Sequence, residues 1–242
     1  MHPPEIQNAE GERLACSFVP GDPKRRDIVV IGHGLTSDKE RPWSEGLSES
    51  LRQRGIASLR IAFSGNGQSE GSFLKSNITK EVADLGSVLD ALEDWNVSYV
   101  GHSMGGAVGL LRAVKDPRIK TLVSLAAITH TADFFKRLFG DLELGSSLLG
   151  KAHCPLGEDL RTDLLSIGST LPQASTLNIP WLIVHGSEDE IVRVQDSVDL
   201  SEAADGRAEL SILEGVDHSF SAEGLPAMLE RVAPWIEQAL AR

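Results

Sequence analysis

Short runs of Val, Ile and Leu alternate along this chain with longer stretches whose apolar positions recur at helical spacing. The runs fall at residues 28–31, 56–63, 97–100, 119–127, 181–184 and 210–213, each too continuous to leave one face in water. Helical periods fill the gaps at about residues 43–54, 79–95, 104–115, 194–204 and 222–241. The last of these sets Leu225, Met228, Leu229, Val232, Ile236 and Leu240 along one stripe. Strands buried on both faces need crossover helices on both sides, so the pattern predicts the α/β class with a mostly parallel sheet.

Two segments break the rhythm. In residues 6–19, the turn-forming Asn8-Ala9-Glu10-Gly11 separates two moderately alternating runs, which predicts an antiparallel hairpin at the sheet's edge. Between His130 and Asn178, about fifty residues intervene where a plain crossover needs far fewer. That stretch has a helical segment, Phe134-Phe135-Lys136-Arg137-Leu138-Phe139, and a second apolar group of Leu142, Leu144, Leu148 and Leu149. We read residues 128–178 as an insertion over one end of the sheet, inside a single domain spanning 1–242.

Composition narrows the function classes. At 41% hydrophobic and 24% charged, 242 residues form an ordinary globular chain, which excludes disorder, collagen and coiled coil. The 23 Lys and Arg against 35 Asp and Glu leave a net charge of −12, a field that repels nucleic acid, and Lys24-Arg25-Arg26 is the densest basic cluster. No stretch approaches the roughly 18 consecutive apolar residues of a membrane span. Met1-His2-Pro3-Pro4-Glu5 lacks the basic start and apolar core of a secretory signal, so a cytoplasmic protein is expected. Cys16 and Cys154 lie far apart with no metal-binding spacing and read as reduced, inert thiols. There is no HExxH and no Walker-type loop, Gly65-x-Gly67 opens no helix, and Gly32-x-Gly34 lacks the third glycine of a dinucleotide fingerprint. No metal or cofactor is expected.

The pattern Gly-x-Ser-x-Gly occurs twice, at Gly101-His102-Ser103-Met104-Gly105 and at Gly67-Gln68-Ser69-Glu70-Gly71. A serine nucleophile of this kind needs a strand that ends in a tight turn opening directly into a helix. Glycines flank it because side chains there would collide with the strand and helix. Ser103 has the strand Val97-Ser98-Tyr99-Val100 before it and the helical run Gly106-Ala107-Val108-Gly109-Leu110-Leu111 behind it. Ser69 lies in a polar, turn-rich loop and reads as an ordinary loop serine.

A serine hydroxyl needs a base oriented by an acid. Beyond the run at 181–184 comes His185-Gly186-Ser187-Glu188-Asp189-Glu190, and beyond 210–213 comes Asp217-His218-Ser219-Phe220. Both follow the C-terminal ends of strands, as Ser103 does, and that edge of a parallel sheet is where sites assemble. The order Ser103, Asp189, His218 fits nucleophile, acid and base, with Glu188 as the alternative acid because the acidic tip is contiguous. The other histidines are expected in the core or on the surface. The oxyanion requires backbone N–H donors, here Met104 and, from the loop Gly32-His33-Gly34-Leu35-Thr36-Ser37, Leu35. Read alone, His33-Gly34 is also compatible with a bare turn.

Taken together and in order, His33-Gly34-Leu35-Thr36-Ser37, Arg60-Ile61-Ala62-Phe63-Ser64-Gly65-Asn66-Gly67-Gln68-Ser69-Glu70-Gly71, Gly101-His102-Ser103-Met104-Gly105-Gly106, His185-Gly186-Ser187-Glu188-Asp189 and Asp217-His218-Ser219-Phe220 resemble the α/β-hydrolase family. Within it the chain is similar to small bacterial serine esterases related to the cinnamoyl esterases and the serine-aminopeptidase-like branch. The resemblance implies an eight-stranded, mostly parallel sheet, a triad of Ser103, Asp189 and His218, and an insertion capping the acyl pocket. One departure is visible: where many relatives carry an aspartate in Arg-x-Asp-Phe, this chain has Ala62, which bears on loop conformation more than on catalysis.

The expected activity is hydrolysis of carboxylic esters with short or medium acyl chains through an acyl-enzyme, on a small-molecule ester substrate without nucleic acid or membrane insertion. The insertion has Phe134, Phe135 and Phe139 but no tyrosine, which favours an apolar acyl group over a phenolic one unless these rings merely pack the insertion down. The same residues would serve a thioesterase or amidase, and a silent hydrolase fold could bind ligand without turnover. Dehalogenation would need a carboxylate at the elbow, which Ser103 excludes. Oligomeric state is not encoded legibly.

Overall fold

The alternation of β-strand faces organises the whole molecule, and the computed structural model describes it for residues 3–221 and 223–241. Met1, His2, Ala222 and Arg242 lie outside the described residues, and with them the first positions of the amino-terminal reading and of the last expected helix. The chain begins with a two-residue ribbon, β1 (Ile6–Gln7) antiparallel to β2 (Arg13–Leu14), followed by β3 (Cys16–Val19) and β4 (Asp27–Gly32). Next come helix α1 (Pro42–Gln53), β5 (Ala57–Ile61), α2 (Ile78–Asp90), β6 (Asn96–His102), α3 (Met104–Ala113) and β7 (Ile119–Leu125). The long segment after β7 holds α4 (Thr131–Phe139), a ribbon of β8 (Ser147–Leu148) and β9 (Lys151–Pro155), α5 (Glu158–Ile167) and α6 (Leu171–Ala174). The chain then closes with β10 (Trp181–Gly186), α7 (Val194–Ala203), β11 (Ala208–Leu213) and α8 (Gly224–Leu240).

Seven strands form the central sheet in the order β11-β10-β7-β6-β4-β5-β3, parallel throughout except for β3. This is the expected α/β-hydrolase architecture with one strand fewer than the eight implied. The difference lies in the expected edge hairpin: β1 and β2 pair only with each other, and β3 alone joins the sheet beside β5.

Successive side chains of a strand point to opposite faces, so β4 sends Ile28 and Val30 to one core and Val29 and Ile31 to the other. The first core lies under α2, α3 and α7, with Leu85, Val88, Val108 and Leu200; the second lies under α1 and α8, with Leu47, Leu51, Val232 and Ile236. Each fully buried aliphatic side chain contributes about 1.5–3 kcal/mol relative to exposure. One expectation fails at β11, where Leu210 and Ile212 are 37% and 39% exposed. As the outermost strand it has no further crossover to extend the helical layers past it. Both cysteines are free thiols, and burial pushes Cys16 up to about 11, which keeps it protonated. No helix among the described residues is long and apolar enough to cross a membrane.

The Ala62 departure is met by other side chains. Ser69, in the second Gly-x-Ser-x-Gly, receives the Ala15 N–H (2.8 Å) and donates to the Ala62 carbonyl (2.6 Å), a purely structural pair of bonds. Asp84 of α2, buried, accepts from the Ser64 N–H and from Asn8 Nδ2, each at 2.8 Å, and so anchors the loop after β5 to the amino-terminal ribbon. Asp84→Ala leaves the Ser64 N–H unpaired in the interior and Asn8 Nδ2 with Glu12 alone, and we expect a loss of about 1–3 kcal/mol in urea unfolding; a change below about 0.5 kcal/mol would contradict this anchoring.

Candidate active site

Strand β6 ends at His102, and α3 starts at Met104, so the turn between them has a single residue, Ser103. Its backbone sits at φ 54° and ψ −118°, a region that costs a non-glycine residue about 1–3 kcal/mol and persists only where the surroundings impose it. Here β7 imposes it: the Ser103 N–H donates to the Leu125 carbonyl (2.8 Å), and the Ser103 carbonyl accepts from Ile128 (3.2 Å) and Gly106 (3.0 Å). The flanking glycines are required by close approach. A Cβ at Gly101 would lie 2.1 Å from the Gly105 carbonyl oxygen, and one at Gly105 would lie 2.4 Å from that of His33.

Asp189 and His218 come from the loops after β10 and β11 and meet, with Asp189 Oδ2 accepting from His218 Nδ1 at 2.6 Å. Glu188 and Glu190 beside it are exposed. The Asp189 side chain is fully buried; its Oδ1 accepts the Ile191 and Val192 N–H groups, both at 2.8 Å, and Oδ2 also lies 3.1 Å from His185 Nε2. Burial alone would push this carboxyl up, but the hydrogen bonds from His185 and His218 outweigh it and hold the group well below the usual range. With Nδ1–H committed to the acid, Nε2 of His218 is the ring's free lone pair. No hydrogen bond joins Ser103 to His218, but both line one cavity of about 150 Å³.

Gly34, Leu35, Thr36 and Ser37 form one wall of that cavity. The Leu35 and Met104 N–H groups have no hydrogen-bond partner among the described residues. Phe134, Leu149 and Lys151 of the segment between β7 and β10 reach over the cavity, with Ile191 beside them. Of the three phenylalanines singled out in sequence, Phe134 lines the cavity, while Phe135 and Phe139 are buried in an edge-to-face cluster that packs α4 down. Lys151 Nζ donates to the Thr36 carbonyl (2.7 Å), tying the β8–β9 ribbon to the wall below.

Residues 23–153, just over half of the chain, match the family model described as serine aminopeptidase, S33. The chain belongs to the serine aminopeptidase S33 family of α/β hydrolases. The match takes in the Gly32–Ser37 wall and the Ser103 turn, while Asp189 and His218 lie beyond it. Human (Homo sapiens) monoglyceride lipase is 25% identical over 97% of this chain and 90% of its own length. Among solved structures, Est1E from Butyrivibrio proteoclasticus with ferulic acid bound superposes with a TM-score of 0.89 at 22% identity, covering 99% of this chain and 100% of that one. The esterase domain of a Rhodothermus marinus protein superposes at 0.77 with 24% identity over 98% of each chain. These two superpositions establish a shared fold.

In this S33-family hydrolase three of the histidines assigned to core or surface build the frame around the site. His33, buried after β4, has Nδ1 2.9 Å from the Gly34 carbonyl and accepts the Phe63 N–H at Nε2 (3.1 Å), which fixes the wall loop to the end of β5; burial pushes its imidazole down to about 4. His102 is pushed down to about 3 by burial and by the neighbouring His218, so it is neutral, and its Nε2–H donates to the His218 carbonyl at 2.8 Å. Trp43 and Phe220 enclose its ring. His185 has Nδ1 2.7 Å from Ser197 Oγ and holds Asp189 through Nε2. Each of the three stood inside a motif segment in the sequence, but the motif named no partner for it.

The neutral His102 sets a pH dependence. Its folded pKa lies below the unfolded value of about 6.5, so the unfolded chain takes up the proton first as pH falls. Stability present above about pH 6.5 is therefore lost toward acid. Urea unfolding measured from pH 7 to pH 4 should show a shallower decline in His102→Gln, which keeps a donor and removes the titration; equal slopes in both proteins would contradict the assignment.

Proposed function

We propose that this chain hydrolyses carboxylic esters of short or medium acyl chains through an acyl-enzyme on Ser103. His218 Nε2 takes the Ser103 proton as the hydroxyl attacks the ester carbonyl, and Asp189 holds the imidazole in the tautomer that leaves Nε2 open. The Leu35 and Met104 amides receive the charge on the carbonyl oxygen. His218 then returns the proton to the departing alcohol, and water repeats the cycle on the acyl group. Side-chain rotation at Ser103 brings hydroxyl to imidazole as substrate fills the cavity.

The observation that carries this reading is the 2.6 Å pairing of His218 with a buried Asp189 on the same cavity as the strained Ser103. The ester preference is supported by the lipase and esterase names of the relatives, and the short acyl chain by the small cavity with Leu35, Phe134, Leu149 and Ile191 in its walls. In the same reading residues 128–178 act as the cap.

Ser103→Ala should lower kcat for p-nitrophenyl butyrate by about 10⁶-fold with the melting temperature nearly unchanged. Asp189→Asn should lower it by about 10⁴-fold, because the amide favours the wrong tautomer. Acid-quenched wild-type reactions should retain one acyl group on the Ser103 peptide. Undiminished turnover in Ser103→Ala would overturn the proposal.

A further inference from the structure

The charge lining the cavity runs against that of the molecule. The chain as a whole carries −12, yet the residues around the Ser103 cavity include two cations, Arg41 and Lys151, and no carboxylate. Elsewhere cations are commonly matched: Arg25 with Asp27, Arg60 with Glu40, Lys80 with Glu10 and Glu12, and Arg118 with Asp90 and Asp116. Arg41 and Lys151 form no ion pair among the described residues. Arg41 stands immediately before α1, beside the Trp43 and His102 side of the cavity, and Lys151 spends one donor on a neutral carbonyl, that of Thr36.

Lys151, Thr36 and Ser37 also border a second, larger cavity of about 600 Å³, lined further by Asp38, Asn66, Phe73 and His153. Lys151 thus stands at the junction, with room beyond it for a group the small cavity does not hold. An unmatched cation half-withdrawn from water gains most from an anionic partner, and guanidinium and ammonium both form charge-assisted hydrogen bonds to carboxylate oxygens. The apolar side chains beside them, Leu35, Phe134, Leu149 and Ile191, suit the hydrocarbon between such a group and the scissile bond.

We infer that the preferred substrates are esters bearing a carboxylate remote from the scissile bond, held by Arg41 and Lys151. The inference rests on the proposed role of Ser103 and adds the substrate's charge. An acidic exterior slows the approach of such a substrate, so the preference belongs to binding in the cavity and not to steering.

Two matched pairs of esters test it. The p-nitrophenyl monoester of glutaric acid against that of glutaric monoamide places the charge on the acyl side; 4-carboxyphenyl butyrate against 4-carbamoylphenyl butyrate places it on the alcohol side. In at least one pair the carboxylate should raise kcat/KM about tenfold or more, and the pair that shows it names the side. That ratio should shrink in 0.5 M NaCl. It should also fall severalfold in Arg41→Gln or Lys151→Gln and be retained in Arg41→Lys and Lys151→Arg. Ratios near one in both pairs, with the neutral esters turned over through Ser103, overturn this inference and leave the hydrolase reading standing, as does a preference that survives loss of both cations. Failure to hydrolyse any of the four, with no acyl group trapped on Ser103, overturns both.

Discussion

Everything at the site depends on one strained residue. Ser103 holds φ 54° because its amide and carbonyl are both claimed by the chain leaving β7, and because α3 begins at the next residue. A relaxed backbone there would swing the hydroxyl off the sheet's edge and redirect the Met104 amide together with it. The cost of about 1–3 kcal/mol is met by the two cores that clamp β6 between β4 and β7, far larger than the strain they contain. Placement of the Ser103 hydroxyl is thus a property of the sheet as a whole.

The Asp189–His218 pair depends on electrostatics in the same way. A carboxylate as buried as Asp189 would be expensive without partners, and two backbone amides and two imidazoles compensate it. The neutral His102 and His33 serve a related purpose, offering directional hydrogen bonds to the His218 loop and the Gly34 wall without adding charge beside the acid. Arg41 and Lys151 are the two cations in the cavity's lining.

Much of this was legible in the sequence because it is local. Continuous runs such as Val97–Val100 followed by Gly101-His102-Ser103-Met104-Gly105 specify strand, turn and helix within about ten residues. What escaped is non-local. Nothing near His102 or His185 in sequence tells that one would hold the His218 carbonyl and the other Asp189, since both partners arrive through the fold. Asp84 taking over the loop after β5, where Ala62 replaces the usual carboxylate, is of the same kind. The exposure of Leu210 and Ile212 depends on which strand ends up outermost, and a run of four residues does not encode that.

The account's central claim is that Ser103, the His218–Asp189 pair and the Leu35 and Met104 amides act on one reacting centre. A crystal structure of the protein inactivated with a p-nitrophenyl alkylphosphonate tests it most directly. The account predicts a bond from Ser103 Oγ to phosphorus, with the phosphoryl oxygen about 2.7–3.1 Å from the Leu35 and Met104 nitrogens and His218 Nε2 turned toward the displaced position. A phosphonate on any other residue, or one on Ser103 whose oxygen points away from both amides, would contradict it.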